Sequence, residues 1–269
     1  MKKRIYFTHC LAVALSLLLA TSGGFAQGTD ETFTPHSGQA GKDVVWVPTP
    51  QALVDTMLSM ANVTSADFVM DLGSGDGRLV ITAAKRGAKA LGIEYNPDMV
   101  ALARRTAAEE GVSANATFEN ADIFETDFSR ATVITLFLLS DLNLRLRPTI
   151  LDMKPGTRIV SNTFTMSDWE PDMTKQIPDN VSWRTALLWI VPAKVDGTWK
   201  FNGGQVHFNQ QFQFVTGTLT MGSNERAFTG KLNGDKIHIN VGGTEFTGTV
   251  SGNRITGTSA DGTAWNVTR

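Results

Sequence analysis

Two acidic residues, with three closely spaced glycines between them, form the part of this sequence best suited to binding a ligand. Asp71 lies in an apolar run that leads into Gly73, Gly75 and Gly77, and Glu94 ends the next apolar run. Glycine allows sharp turns and a close approach of the backbone to a ligand. An acid about 20 residues beyond such a turn can bind ribose hydroxyl groups. The pattern predicts the first half of a nucleotide-binding β-α-β unit.

The spacing of the glycines separates two kinds of ligand. Dinucleotide-binding loops read G-x-G-x-x-G and hold a pyrophosphate, whereas this loop reads G-x-G-x-G and is preceded by Asp71. A carboxylate there would repel a pyrophosphate and attract a cation. S-adenosylmethionine carries an amino group and a sulfonium, so the sequence predicts it as the cofactor. An ordinary strand, turn and helix without a ligand is the alternative.

Residues 71–78, D-L-G-S-G-D-G-R, and residues 92–94, G-I-E, resemble the cofactor motifs of class I S-adenosylmethionine-dependent methyltransferases. With V-P-T-P at residues 47–50 and D-W-E-P-D at residues 168–172, the chain resembles the lysine methyltransferases of the mitochondrial ATP-synthase c-subunit and adenine nucleotide translocase. It is similar, more distantly, to the non-SET nucleosome-core lysine methyltransferases. The similarity covers about residues 44–175. It implies that the cofactor is bound by Thr49, Asp71, Gly73, Ser74, Gly75, Gly77, Glu94, Asn96, Asp122 and Ile123.

The resemblance places the methyl acceptor after the fourth predicted strand, at residues 138–143. The D/N-P-P-Y/F sequence of enzymes that methylate base amines or glutamine is absent there. Asp141 or Asn143 either orients an amine or caps the next helix. Trp169 lies in the stretch from Phe164 to Asp172, whose aromatic and acidic residues suit the stem and charge of a lysine or form a packed lid. We predict these three residues at the acceptor site.

Composition limits the other partners. The 269-residue chain has a formal net charge of −2, without the basic surplus of nucleic-acid-binding proteins, so no nucleic-acid partner is expected. Its four histidines have no ligand spacing and its only cysteine is Cys10, so no metal site is expected.

The N-terminus has the pattern of a signal peptide. A basic start at residues 2–4 is followed by an apolar stretch at residues 10–20 and a small-x-small motif at residues 24–26. We predict cleavage after residue 26 and export to the periplasm or beyond. The apolar stretch is too short for a typical transmembrane helix, but if uncleaved it would anchor the chain. Residues 27–43 are predicted to form a flexible tail.

The remaining chain divides by pattern into two domains. Residues 44–194 alternate strands and helices, which predicts a doubly wound, mostly parallel α/β sheet with its ligand crevice beyond the strand C-termini. In this region Thr49 is predicted to cap the first helix. Residues 195–269 are rich in Gly, Thr and Asn, and residues 228–237 resemble residues 246–255. This repeat predicts an antiparallel meander, closed into a small barrel or folded on itself.

The sequence therefore predicts an exported S-adenosylmethionine-dependent methyltransferase that N-methylates protein lysine. Direct displacement at a sulfonium methyl group needs alignment more than a strong base, and a desolvated pocket lowers the pKa of an acceptor amine. A small-molecule acceptor is one alternative. A non-catalytic, cofactor-binding envelope protein is another. Oligomeric state and the role of the β-rich domain are left open.

Overall fold

The computed structural model describes residue 1, residues 33–178 and residues 182–269. The predicted signal peptide, apart from its first residue, lies outside these ranges. The chain divides into Met1–Thr32 and Phe33–Arg269, and the second unit is described below. Within the described ranges, no helix is long and apolar enough to cross a membrane.

The first region of this unit is a seven-stranded sheet with helices. Its elements are α1 (Gln51–Met60), β1 (Phe68–Leu72), α2 (Arg78–Lys85), β2 (Lys89–Glu94), α3 (Pro97–Glu109), β3 (Ala116–Asn120), β4 (Val133–Leu136), α4 (Ser140–Leu151), β5 (Arg158–Asn162), β6 (Met173–Gln176) and β7 (Thr185–Ile190). The strand order is β3-β2-β1-β4-β5-β7-β6. Strands β1 to β5 are parallel, while β6 and β7 run antiparallel. The predicted doubly wound α/β fold is confirmed.

Both faces of the sheet are buried by apolar side chains. Val69 and Val133 belong to the core cluster that includes the buried residues of α1, α2 and α3, and their neighbours Met70 and Ile134 belong to the cluster that includes α4. Successive side chains of a strand point to opposite faces. This explains why the central strands are continuous apolar runs rather than alternating ones.

Several predicted boundaries differ from the structure. The sequence pattern predicts a strand over residues 132–139 and a helix over residues 142–151, whereas β4 ends at Leu136 and α4 begins at Ser140. Strand β6 is an edge strand whose four residues are all exposed, so it lacks the apolar pattern that would predict it. The prediction that Thr49 caps α1 is wrong, because Pro50 occupies the cap position and no side chain caps the helix there.

The second region is a closed antiparallel barrel. Its strands are β8 (Gly197–Phe201), β9 (Gly204–Gln211), β10 (Phe214–Met221), β11 (Asn224–Asn233), β12 (Lys236–Val241), β13 (Thr244–Ser251), β14 (Arg254–Ser259) and β15 (Ala264–Thr268). Each strand pairs with the next, and β15 pairs with β8 to close the ring. The barrel form of the predicted meander is therefore the correct one.

Glycines inside the strands allow the barrel to curve. A Cβ atom at Gly217 would lie 1.9 Å from the carbonyl oxygen of His207, and one at Gly257 would lie 1.8 Å from that of Thr247. Both distances are far below van der Waals contact, so these positions require glycine. Mid-strand glycine marks sharp bends and close approaches of neighbouring backbones.

One end of the barrel packs against the sheet region. Trp169 stacks on Phe212 with ring centroids 5.8 Å apart and donates a hydrogen bond from Nε1 to Oε1 of Gln213 at 2.9 Å. Nε2 of Gln213 in turn donates to the carbonyl oxygen of Glu170. Trp169 and Gln213 are both fully buried, so the interface has a dry, hydrogen-bonded centre.

Candidate active site

A crevice lies where β1, β2 and β4 end, at the carboxyl edge of the parallel sheet. Its walls are the strap (residues 39–49), the glycine loop after β1 and the segments that follow β2, β3 and β4. It is lined by all but one of the residues predicted to bind the cofactor: Thr49, Asp71, Gly73, Ser74, Gly75, Glu94, Asn96, Asp122 and Ile123.

The glycine loop keeps its backbone in a conformation that other residues rarely adopt. Gly73 and Gly75 have φ angles of 84° and 52°, and a Cβ at Gly75 would lie 2.4 Å from Nε1 of Trp46. Gly77 has a different role from the predicted one. It does not line the crevice, and a Cβ there would collide with Phe118 and Ala103. Gly77 therefore allows α2 to begin and pack tightly.

Glu94 holds the glycine loop in place. Its Oε2 accepts a hydrogen bond from the N–H of Gly75, and its Oε1 accepts one from the N–H of Asn96, both at 2.9 Å. The side chain of Asn96 caps α3 by accepting from the N–H of Asp98. Oγ of Ser74 is buried without a hydrogen-bond partner and lies where a Cβ at Gly92 would be.

Asp71 is a buried carboxyl group beside other acids. It is 2% exposed, and its Oδ1 accepts a hydrogen bond from Oγ1 of Thr135 at 2.6 Å. Burial raises the pKa of Asp71 to about 7; the Thr135 hydrogen bond opposes this, and the nearby Glu94 and Asp76 carboxylates add to it. Among the described residues, neither Asp71 nor Glu94 forms an ion pair. Such a site suits a cationic ligand, which fits the amino and sulfonium groups of S-adenosylmethionine.

Arg78 connects the strap to the glycine loop. Its Nε donates to Oδ1 of Asp76 at 3.0 Å and its Nη1 donates to the carbonyl oxygen of Thr49 at 2.7 Å. Oγ1 of Thr49 accepts from Nδ2 of Asn162, which lies at the end of β5. Arg78 belongs to the motif on which the family resemblance rests. Its contact with Thr49 of the strap could not be predicted from the local sequence.

The strap closes over the crevice through a second ion pair. Lys42 pairs with Asp122, which holds the pKa of Asp122 below its ordinary value. Nζ of Lys42 also lies 4.6 Å from the ring centroid of Tyr95. Residues 39–43 belong to the predicted flexible tail, yet here they line the crevice. The N–H of Gly38 donates to the carbonyl oxygen of Trp46, and the N–H of Trp46 donates to that of Gln39.

Three aromatic rings pack together beside the crevice, near the ends of β4 and β5. Phe137, which lines the crevice, lies 6.0 Å from Phe164 and 5.8 Å from Trp183 between ring centroids, and Phe164 lies 5.3 Å from Trp183. We call these three residues the aromatic cluster. Sequence reasoning named Phe164 only as part of an aromatic and acidic stretch and missed the other two, although all three follow or precede strand ends.

Of the predicted acceptor residues, Asn143 lies behind the aromatic cluster. Its Nδ2 donates to the carbonyl oxygens of Phe164 and Thr165, and its fully buried Oδ1 has no hydrogen-bond partner. Asp141 is exposed in the first turn of α4. Neither side chain caps the helix, whose cap position is Leu139.

The acceptor role predicted for Trp169 does not agree with its position. Trp169 is fully buried between Trp189 and Phe212 and does not line the crevice. Its sequence context of aromatic and acidic residues resembled a lysine-binding surface, but Trp169 itself packs on Phe212 beside the barrel, whereas Phe164 of the same stretch belongs to the aromatic cluster. Asp172 of the same stretch pairs with Lys231 of β11.

Comparisons with known proteins agree with this geometry. The ANTKMT methyltransferase domain family matches residues 71–173. The chain is 38% identical over 163 residues to a protein-lysine N-methyltransferase of Saccharolobus islandicus (strain REY15A), covering 60% of this chain and 97% of that protein. It is 31% identical over 159 residues to the human lysine N-methyltransferase of the ATP-synthase c-subunit, covering 58% of this chain and 68% of that protein.

A solved structure supports the cofactor. A protein titled RNA methyltransferase from Salinibacter ruber, in complex with S-adenosyl-L-homocysteine, is 44% identical, with a TM-score of 0.52, over 55% of this chain and 96% of that chain. The prediction of S-adenosylmethionine as cofactor is confirmed. Little more than half of this chain covers almost the whole length of both the Saccharolobus islandicus and the Salinibacter ruber relatives.

Proposed function

We propose a function for this chain from one premise, which is that it belongs to the ANTKMT family of S-adenosylmethionine-dependent methyltransferases. Its proposed acceptor is the ε-amino group of a lysine in a protein. The observation that carries this proposal is the aromatic cluster, which adjoins the cofactor crevice at the end of β4. The relatives from Saccharolobus islandicus and human, both lysine N-methyltransferases, also support it.

The acidic residues of the crevice hold the donor. When bound, S-adenosylmethionine supplies a methyl group activated by its sulfonium. Asp71 provides a buried carboxylate that compensates positive charge, and Glu94 fixes the backbone of the glycine loop. Arg78 and Thr49 hold the strap over the loop. These groups orient one reactant, and such fixed orientation supplies much of the rate of a displacement reaction.

The aromatic cluster would receive the other reactant. Rings of Phe137, Phe164 and Trp183 suit the apolar stem of a lysine and attract its charged form at the entrance. Further inside, the loss of water lowers the pKa of the amine and favours its neutral form. The neutral nitrogen forms a bond to the methyl carbon while the carbon–sulfur bond breaks, and the resulting ammonium releases a proton to solvent.

Asn143 acts as a positioning residue in this proposal. Its Nδ2 holds the backbone carbonyls of Phe164 and Thr165, so it fixes the ring of Phe164 relative to the crevice. Asn143→Ala is expected to lower kcat for methyl transfer about tenfold while the affinity for S-adenosylhomocysteine stays unchanged. If kcat and the affinity for S-adenosylhomocysteine fell together, Asn143 would have only a structural role.

RNA is the second acceptor to consider, because the 44% identical structure is titled RNA methyltransferase. The crevice of the present chain is lined by five acids and two bases, so acidic groups are in excess there: Asp43, Asp71, Asp76, Glu94 and Asp122 against Lys42 and Arg78. The whole chain has a net charge of −2. A polyanion would be repelled by this acidic excess, whereas a protonated lysine would be attracted. The electrostatics therefore favour a lysine acceptor over RNA.

The experiment is transfer of a labelled methyl group from S-adenosylmethionine to a cell extract, followed by separate protease and RNase digestion. The expected result is label that only protease releases, found by mass spectrometry as methylated lysine. Glu94→Ala should abolish the label, and Phe164→Ala should reduce it at least tenfold without weakening cofactor binding. Phe214→Ala, an exposed ring on the barrel, is the matched control. Label released by RNase, or confined to small molecules, would contradict the proposal.

We also propose that the chain acts after export, from the basic, apolar and small-residue pattern of residues 1–26. Cell fractionation with N-terminal sequencing tests this. The expected product begins at Gln27 in the exported fraction, and an intact N-terminus in the cytoplasmic fraction would contradict it.

A further inference from the structure

The barrel is filled at one end and hollow at the other. Near the sheet region, the fully buried side chains of Trp199, Leu232 and Ile255 pack its interior. Towards the far end, Leu219 and Trp265 are only partly buried, and a cavity of about 350 Å³ opens between the strands. Eight-stranded barrels either fill their interior with side chains or hold one small ligand. In this barrel, side chains fill the half near the sheet region, and the far half has space for a ligand.

The lining of this cavity is apolar and uncharged. Aromatic rings from several strands contribute to it: Phe201, Phe208, Phe228, Phe246 and Trp265. The described lining residues include no charged side chain, and the only polar ones are Asn202 and Asn266. Burying a charge among such groups would cost several kcal/mol without a partner. The chemistry of the lining therefore selects an uncharged ligand.

The cavity is separate from the catalytic crevice. Strand β10 begins at Phe214, next to the interface residues Phe212 and Gln213, and ends at Met221, which lines the cavity. At about 3.4 Å per residue these two ends lie about 24 Å apart. A molecule in the cavity therefore does not reach the site of methyl transfer, so the cavity is not the acceptor pocket.

We propose that the far half of the barrel binds one small, uncharged, apolar molecule, such as a neutral aromatic compound or a short alkyl chain. A volume of about 350 Å³ is at the lower end of the range for small-molecule sites, roughly 300–1,000 Å³. A peptide helix, about 10 Å across, is too wide for it. The amides of Asn202 and Asn266 supply hydrogen bonds for a single polar group of the ligand.

The test is a fluorescence titration of the full chain with N-phenyl-1-naphthylamine, a neutral apolar probe. We expect saturable binding of one probe per chain, with energy transfer from tryptophan that falls in Trp265→Phe, because Trp265 lines the cavity, while the affinity is retained. Met221→Glu should weaken binding at least tenfold, because it places a carboxylate at the cavity. Met221 is 53% exposed, so this substitution does not threaten the fold, which a thermal melt verifies.

A matched control lies at the other end of the same strand. Phe214 is 42% exposed, so Phe214→Glu removes a similar apolar surface outside the cavity and should leave the probe affinity unchanged. Equal weakening by both substitutions would mean surface adsorption and overturn the proposal. Absence of saturable binding, or unchanged affinity in Met221→Glu, would also overturn it.

Discussion

In the sheet region the glycines of the cofactor loop turn the backbone through positive φ angles, whereas in the barrel the mid-strand glycines make room for neighbouring strands. Gly75 illustrates the first use, with a φ of 52° at the crevice, and Gly257 the second, lying against the backbone of Thr247. Glycine content is therefore a poor guide to function unless the position of each glycine is known.

Buried polar groups separate the two regions in the same way. The sheet region buries Asp71, Ser74 and Asn143 at or behind the crevice, each with an unpaired charge or an unpartnered oxygen. In the described barrel, the buried polar residue is Gln213, and it bonds to Trp169 and Glu170. The buried Oε2 of Glu245 on β13 forms no hydrogen bond but lies 2.7 Å from Nε2 of His238. Unpaired buried polar groups usually have a functional explanation. This places the chemistry in the sheet region and leaves apolar binding to the barrel.

The largest expected effect comes from the residue that joins the two regions. Trp169→Ala removes a fully buried ring, its stacking on Phe212 and its bond to Gln213. Replacing a buried aromatic residue by alanine costs about 3–5 kcal/mol, so the free energy of unfolding in urea should fall by that amount. Trp183→Ala, which removes a ring that is 39% exposed, should cost about 1 kcal/mol or less but impair methyl transfer.

A loss of activity without a loss of stability in Trp169→Ala would support the acceptor role predicted for Trp169 from the sequence. If Trp169→Ala kept its stability and lost turnover, Trp169 would belong to the acceptor site, and the comparison between interface and aromatic cluster would fail.

Glycine inside a barrel strand should be harder to replace than glycine in a barrel turn. A Cβ in Gly257→Ala would overlap the carbonyl oxygen of Thr247, and overpacking of this kind costs about 3 kcal/mol. Gly262 has a φ of 85° with open space around it, so Gly262→Ala costs only the left-handed strain of about 1 kcal/mol. Thermal unfolding measures both. Equal losses would mean that curvature does not depend on the mid-strand glycines.

The elements with local signals were predicted well. Asp71, Gly73 and Glu94, which were predicted to bind the cofactor, all line the crevice, because a sharp turn at the end of a strand has a strong local signature. The repeat at residues 228–237 and 246–255 likewise predicted paired strands, since each copy carries its own apolar alternation and turn. The family, fold and cofactor followed from these motifs and are confirmed.

The parts that were missed depend on contacts between distant residues. Trp169 meets Phe212 and Gln213 across more than forty positions, so its neighbours in sequence gave no sign of the interface. Arg78 donates to the backbone carbonyl of Thr49. A contact with the backbone does not depend on the residue type at that position, so the sequence carries no sign of it. Trp183 joins the aromatic cluster only because β7 runs antiparallel to β5, and that strand direction had not been predicted.

The next largest expected effect comes from a substitution in the cofactor crevice. Glu94→Ala leaves the N–H groups of Gly75 and Asn96 without their acceptor, so the loop loses its fixed conformation. We expect the affinity for S-adenosylhomocysteine, measured by calorimetry, to fall at least 100-fold, equivalent to about 2.7 kcal/mol. Glu119→Ala, at an exposed glutamate on β3, is the matched control. Binding of the neutral probe to the barrel should not change, and a parallel loss there would argue against two independent sites.

The smallest effect is the pH dependence that distinguishes a carboxylate in the crevice from the uncharged barrel cavity. The pKa of Asp71 is raised to about 7, so the group is neutral below that pH and charged above it. A cationic ligand prefers the charged form, so the affinity for S-adenosylmethionine should fall by up to about tenfold per pH unit below 7. Asp71→Asn should remove this component and leave only the titration of the ligand itself. Without ligand, the stability of the fold depends on pH in the opposite direction. Protonated Asp71 stabilises the fold at low pH, and this stabilisation is lost as the pH rises through 7. If the pH dependence of S-adenosylmethionine affinity were the same in Asp71→Asn as in the unchanged chain, Asp71 would not interact with the cation. Binding of the neutral probe to the barrel should be independent of pH over the same range.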